Sequence, residues 1–264
     1  MNELSRSKVN KLGERLRSVE APSVDDLEML EKVRRAHEDA RREVVETLRR
    51  EGLKGTDRPK TTSTIIEKLR RESGMNLSRM QDIAGVRLVI EGTRNDQDRT
   101  VERILELFPD ARTSDRREKP SYGYRAVHVI VRVQGWLVEV QVRTQLQDQW
   151  AQIMERLADR FGRQIRYGDP PSQPDTELAP GVTRQALVDV LMSFSEEVDG
   201  VERTAVLLSE VEREIQETEP VDPTLSTRLV EVRSRVVETE AEIRSTLERL
   251  YAVLDPTAND GSDS

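Results

Sequence analysis

Apolar residues recur at helical spacing near both ends of this chain, and β-branched residues crowd the stretch between. Residues 1–22 read as polar, and "EAPS" separates them from the next segment. Ser23 is placed to cap a helix, with Asp25 and Asp26 in its first turn. Leu27, Leu30, Val33, Ala40, Val44 and Leu48 then mark one helical face. "EGLKG" ends that helix, and "TDRPK" reads as a loop into a second helix carrying Ile65, Ile66 and Leu69. From residue 83 the pattern changes. "IAGVRLVI", "RAVHVIVRV" and "WLVEVQVRT" read as strands, the last two joined by a Gln-Gly hairpin turn. Helices are expected over about 97–108, through Val101, Ile104, Leu105 and Phe108, and over about 145–163.

"YGDPPSQPDTELAPG" is rich in Pro and Gly and reads as a linker. Beyond it, Leu187, Leu191, Phe194, Val198, Val201, Ala205 and Leu208 alternate spacings of four and three. After the break "EPVDP", Leu225, Leu229, Val232, Val236, Ile243, Leu247 and Leu250 show a similar spacing. Two heptad-patterned helices form an antiparallel hairpin, a candidate surface for homo-oligomer formation. The expected organisation is a helical segment (1–52), an α/β domain (53–171), a linker (172–183), the hairpin (184–254) and a disordered tail (255–264).

Composition narrows the function. Of 264 residues, 42 are Lys or Arg and 50 are Asp or Glu, a net charge of -8, which argues against a general polyanion-coating protein. With no Cys, disulfide frameworks and thiolate metal sites are excluded. No apolar run has the length of a membrane span and "MNELSRSKVNK" lacks a signal-peptide core, so a cytoplasmic protein without membrane partners is expected.

Strand alternation puts Glu139, Gln141 and Arg143 on one face of the last strand and Val138, Val140 and Val142 on the other. On its neighbour, His128 stands opposite the Val127, Val129, Val131 and Val133 face. A solvated strand face or a structural histidine would explain either alone. Arg58 and Lys60 precede a helix on which Lys68 and Arg71 share a face; with Thr64 at the helix start, they make an anion site. A solvated amphipathic helix is the plainer alternative. Asp82 enters a buried strand, and two carboxylates from separate strands, Asp82 and Glu139, are the donor set a Mg2+ ion takes alongside phosphates. "SYGYRAVH" adds an aromatic cluster with Tyr122 and Tyr124 to a chain that is only 3% aromatic.

"RPKTTSTIIEKLRR", "QDIAGVRLVI", "GYRAVH" and "VEVQVRT", in this order over residues 54–168, resemble the synthetase domain of the RelA/SpoT family. The resemblance implies a mixed β-sheet flanked by helices, related to nucleotidyltransferases. It implies transfer of pyrophosphate from ATP to the 3'-hydroxyl of GDP or GTP, giving (p)ppGpp and AMP with Mg2+. Arg58, Lys60, Thr64, Lys68 and Arg71 then match the ATP-phosphate cluster. Asp82 and Glu139 match the metal ligands, Glu139 being alternatively the base. Tyr124, His128, Gln141 and Arg143 match the acceptor pocket, with Tyr124 stacking on the base and Gly123 letting it come close; the family's Lys position is Pro120 here, and the neighbouring Lys119 is taken as its substitute in that pocket. "KPSYGY" departs from the common "PK.NGY", which leaves acceptor choice open. The family's hydrolase half needs a His-Asp pair. The only other histidine, His37, lacks one, so synthesis without hydrolysis is expected. A toxin-type branch acting on the 3'-CCA end of tRNA is an alternative, with Arg49, Arg50, Lys54, Arg116 and Arg117 as its docking candidates. A catalytically inactive nucleotide sensor is a second alternative.

Overall fold

In the computed structural model, which describes residues 4–217 and 223–254, the chain divides into two compact units. The first takes residues 1–88, 100–114 and 127–142, and the second takes 89–99, 115–126 and 143–264. The expected break "EPVDP" and the tail 255–264 fall, but for Pro223, outside the described residues.

The first unit opens with α1 (Arg6–Ser18), capped by the Ser5 side chain, which accepts from the Lys8 amide. The stretch read as merely polar is thus an amphipathic helix. Val9, Leu12 and Leu16, spaced three and four apart, are almost fully buried. They pack with Leu30, Val33, Ile65, Leu69, Leu77 and Met80, each fully buried leucine being worth about 1.5–3 kcal/mol. Ser23 caps α2 (Val24–Arg50) as expected, accepting from the Asp26 amide. The expected "TDRPK" loop is instead mostly strand: β1 (Gly55–Pro59) runs antiparallel to β2 (Ala84–Ile90), Gly55 opposite Leu88 and Arg58 opposite Gly85. An edge strand with one exposed side does not need alternating apolar residues.

Thr61 caps α3 (Thr62–Arg71). Then come α4 (Arg94–Leu107), β3 (Arg112–Asp115), β4 (Val127–Val133) and β5 (Trp136–Thr144). The mixed five-stranded sheet has the order β1-β2-β5-β4-β3. Strands β4 and β5 pair antiparallel through the expected hairpin. Gln134 (φ 51°) and Gly135 (φ 87°) take the left-handed conformations of a two-residue turn.

His37 is a core residue of this unit, 1% exposed. Its ring lies 4.8 Å from that of Trp136, and Nδ1–H donates to the Leu137 carbonyl at 3.0 Å. Nε2 is buried without a partner. Burial pushes its pKa down to about 4, the bond to Leu137 opposing only in part. Because the unfolded chain binds the proton near pH 6.5, stability is full above that value and falls as pH drops towards 4. The loss is about 3 kcal/mol. Urea unfolding of the wild type and of His37→Phe at pH 7.5 and 4.5 checks this. The wild type is expected to lose more stability than the variant, by about that amount; parallel losses would remove His37 as the cause.

The second unit is built on α5 (Gln145–Phe161), α6 (Arg184–Glu217) and α7 (Pro223–Val253). Thr144 and Gln147 form a capping box at the start of α5. The stretch expected as a linker carries a two-stranded antiparallel sheet, β6 (Glu177–Ala179) with β7 (Val182–Thr183). Trp150, Met154, Leu157 and Phe161 of α5 share a core with Leu191, Val198 and Val201 of α6 and Val236, Ile243 and Leu247 of α7. Arg233 pairs with Glu212, as antiparallel helices require. The heptad seam is covered only in part: Leu225 and Val232, expected within it, are 41% and 40% exposed.

Candidate active site

In the first unit, alternation along β5 and the β4–β5 register put His128 directly opposite Gln141, with Glu139 one pair further along the same face, opposite Ile130. His128 Nδ1 lies 3.0 Å from Glu139 Oε1, and Gln141 Nε2 donates to Glu139 Oε2 at 2.7 Å. All three side chains are buried, so the solvated strand face does not hold here. Burial alone would raise the Glu139 pKa. The His128 hydrogen bond and charge, the Gln141 bond and the charge of Lys68 outweigh it and hold the group at about 2. Glu139 is therefore an anion at neutral pH, better suited to ligate a cation than to accept a proton.

Asp82 stands just before β2, following the 3-10 turn Leu77–Arg79. Its two oxygens accept from Lys68 Nζ at 3.0 and 2.9 Å, and Lys60 Nζ lies 3.2 Å from Oδ2. Lys68 thus bonds one carboxylate while its charge acts on the other. The lysines bring positive charge to the Asp82 carboxylate. Among the described residues no group of three or more His, Cys, Asp or Glu is set to hold a metal. Asp82 and Glu139 nevertheless supply the hard oxygen donors a Mg2+ ion takes when phosphates complete its shell, so the residues fit that ion.

At the start of α3, the Thr64 hydroxyl donates to the Thr61 carbonyl at 2.8 Å and lies 3.1 Å from Thr61 Oγ1. Arg71, in the last turn of α3, pairs with Glu72 at 2.9 Å. Arg58 stands on β1 opposite Gly85. Arg34, Arg41, Asp57, Lys60 and Ala84 help line a cavity of about 300 Å³. Arg34 and Arg41 were missed in the sequence, although they lie seven apart, two turns along α2.

In the second unit, Arg143 is 0% exposed. It donates from Nη1 to Asp148 Oδ1 at 2.9 Å and from Nη2 to the Tyr124 hydroxyl at 3.0 Å, with its guanidinium carbon 5.0 Å from the Tyr124 ring centre. Arg143 therefore fixes the tyrosine from within the protein. Lys119 is exposed, and the Tyr124 ring is half-buried. Gly123 is needed for a different reason from the one expected. At φ +75°, an added Cβ would stand 2.7 Å from the Trp150 ring, so the glycine makes room for packing. Of the RNA-docking candidates, Arg117 is paired with Asp98 and Asp115, while Arg49 and Arg50 each lie close to Glu46. Sequence reasoning also missed Arg125, although it lies inside "GYRAVH"; it is 5% exposed and bonded to Ser195 and Glu196. No helix among the described residues is long and apolar enough to cross a membrane.

Known proteins are similar to parts of this chain. An uncharacterized protein of Mycobacterium tuberculosis and one of Mycobacterium bovis are each 39% identical over 150 residues, covering 53% of this chain and 55% of theirs. The chain thus spans about half the length of these curated relatives. Among solved structures, small alarmone synthetase 1 from Bacillus subtilis is 25% identical with a TM-score of 0.48, covering 74% of this chain and 100% of its own. Small alarmone synthetase 2 from the same organism is 22% identical with a TM-score of 0.47, covering 70% and 98%. Residues 57–158, which hold Asp82, Tyr124 and Glu139, match the family described as "Region found in RelA / SpoT proteins".

Proposed function

We propose that this chain transfers the β,γ-pyrophosphate of ATP to the 3'-hydroxyl of GDP or GTP, making (p)ppGpp and releasing AMP. The observation that carries the reading is the acid–lysine cluster of the first unit: a buried, ionised Glu139, and Asp82 held by Lys60 and Lys68, inside the RelA/SpoT region. Lys60, Lys68, Arg58 and Arg71 bind the triphosphate, and the cavity beside Lys60 takes part of the donor. Asp82 and Glu139 would hold Mg2+, which when bound neutralises charge developing on the phosphates. His128 and Gln141 keep Glu139 aimed and ionised. Tyr124 supplies the ring for the acceptor base, held by Arg143. In the transfer, the bond from the acceptor 3'-oxygen to the β-phosphorus forms as the bond to the bridging oxygen of the α-phosphate breaks, and the hydroxyl proton passes to solvent or to a carboxylate.

The test is incubation with Mg2+, ATP labelled in the γ-phosphate, and GDP, GTP or deacylated tRNA. Label on the guanine nucleotide with release of AMP is the expected result. Label on tRNA alone would replace the acceptor, and no AMP from a folded, nucleotide-binding sample would overturn the enzyme reading. The pairing of Arg117 with two aspartates weighs against the tRNA acceptor, since it neutralises one cation of the docking surface.

A further inference from the structure

Helix α6 presents a polar stripe beside its apolar seam. Ser195, Asp199 and Glu202 follow Leu191 at spacings of four, four and three, so they share one face of the helix. Ser195 is 2% exposed and Glu202 is 8% exposed. Polar residues flanking a seam ordinarily face water, and burying charge there is unfavourable unless it meets a fixed partner. The partners lie in the same unit. The Ser195 hydroxyl donates to the Gly123 carbonyl at 2.6 Å, and Arg125 Nε lies 3.2 Å from Ser195 Oγ and 3.3 Å from its carbonyl. Arg125 also reaches Glu196 at 2.8 Å and Asp199 at 3.3 Å, and donates to the Arg117 carbonyl. Arg94, 5% exposed, joins Asp199 to Glu202. Glu202 in turn accepts from Gln147 at 2.8 Å and from the Thr144 hydroxyl, the two residues of the α5 capping box.

The turn gripped by this network is the one that carries Tyr124. Ser121 and Tyr124 close it with reciprocal backbone bonds of 3.3 and 3.1 Å. Tyr122 has φ 50°, an unfavourable conformation for a non-glycine residue, and Gly123 has φ 75°. Tyr122 and Gly123 are thus the two central residues of a tight turn, the conformation Gln134 and Gly135 also take. Helix α6 grips this turn from two sides: Ser195 fixes the Gly123 carbonyl before Tyr124, and Ser195 with Asp199 fixes the Arg125 guanidinium after it.

We propose that Ser195 and Asp199 are positioning residues for the acceptor: through the Gly123 carbonyl and Arg125 they set the Tyr124 ring, so the C-terminal helix tunes acceptor affinity. The inference rests on the acceptor role proposed above for Tyr124. The geometric half, that α6 holds this turn, can be measured without any activity.

Ser195→Ala and Asp199→Asn are compared with the wild type in initial-rate kinetics and in hydrogen–deuterium exchange of the nucleotide-free full chain. Losing one such hydrogen bond is expected to raise the acceptor KM about tenfold, with the ATP KM within about twofold. Amide exchange at Ser121 and Tyr124 is expected to accelerate, while β4 and β5 stay protected. Leu247→Ala, which removes core packing from α7 but none of the hydrogen bonds that hold the turn, controls for general softening. The proposal is overturned if both variants leave the acceptor KM and the turn amides unchanged. It is overturned equally if Leu247→Ala raises the acceptor KM as much, or if the KM values of donor and acceptor rise together. Should the wild type transfer to no guanine nucleotide, accelerated exchange at Ser121 and Tyr124 would sustain the positioning and dismiss only the proposed reaction.

Discussion

Glu139→Gln is expected to lower pyrophosphate transfer at least about 100-fold, mainly in kcat, while leaving the fold in place. The substitution keeps the side chain's shape and a carbonyl that can still accept from Gln141 Nε2, now placed 2.7 Å away. What it removes is the negative charge, which His128 at 3.0 Å and the field of Lys68 hold ionised in a site only 7% exposed. A buried anion kept this far below its usual range is strongly stabilised by its neighbours, and a neutral amide there can neither ligate a hard cation well nor attract it. The fold should lose about 1–3 kcal/mol, because one buried hydrogen-bonding pair is weakened rather than a core emptied. Asp82→Asn makes the complementary case. Asp82 is 23% exposed, so stability should change less, but Lys60 and Lys68 lose the carboxylate that gathers them. Rates with saturating ATP and GDP, alongside urea unfolding, separate the two effects. A Glu139→Gln protein that turns over at the wild-type rate would take Glu139 out of the mechanism.

The face that Glu139 shares with Gln141 could be read from the sequence because strand alternation is a strict rule. Val138, Val140 and Val142 had to be buried together, which left Glu139, Gln141 and Arg143 on the other face. The register that sets His128 opposite Gln141 comes from the two-residue turn, itself legible as Gln-Gly. What alternation could not reveal is that the second face is buried too, which turns a row of polar residues into a fixed hydrogen-bonded cluster. Helix α1 escaped because its burial rests on only Val9, Leu12 and Leu16 in a charged stretch. Strand β1 escaped because edge pairing is made by backbone groups, which carry no side-chain signature. The Ser195–Asp199–Glu202 stripe escaped because polar residues between heptad positions ordinarily face water. Their partners Gly123, Arg125 and Arg94 are 72, 74 and 108 residues away in the respective contacts of Ser195, Asp199 and Glu202, beyond any local pattern.

Arg143→Met is expected to destabilise the second unit by about 3–5 kcal/mol and to weaken acceptor binding as well. The side chain is fully buried and fills its space, so methionine preserves most of the volume while deleting the charge. Asp148, only 9% exposed, then keeps Gln152 as a donor at 2.6 Å but loses its cation at 2.9 Å. The Tyr124 hydroxyl loses the Arg143 donor that lies 3.0 Å away, and its ring loses the guanidinium beside it. Most of the penalty comes from stranding the carboxylate, so it is testable by removing the partner. In Arg143→Met with Asp148→Leu, the buried pair is replaced by apolar groups, and at least half of the lost stability should return. Acceptor affinity should not return with it, because the guanidinium that holds Tyr124 is still missing from the double variant. Arg143→Lys keeps the charge but not the two-pronged geometry that reaches Asp148 and Tyr124 together, so it should fall between wild type and Arg143→Met on both measures. Urea midpoints and acceptor KM across the four proteins decide the matter. If stability and affinity recover together in the double variant, Arg143 acts on the acceptor only through the integrity of the fold, and its hold on Tyr124 carries no functional weight.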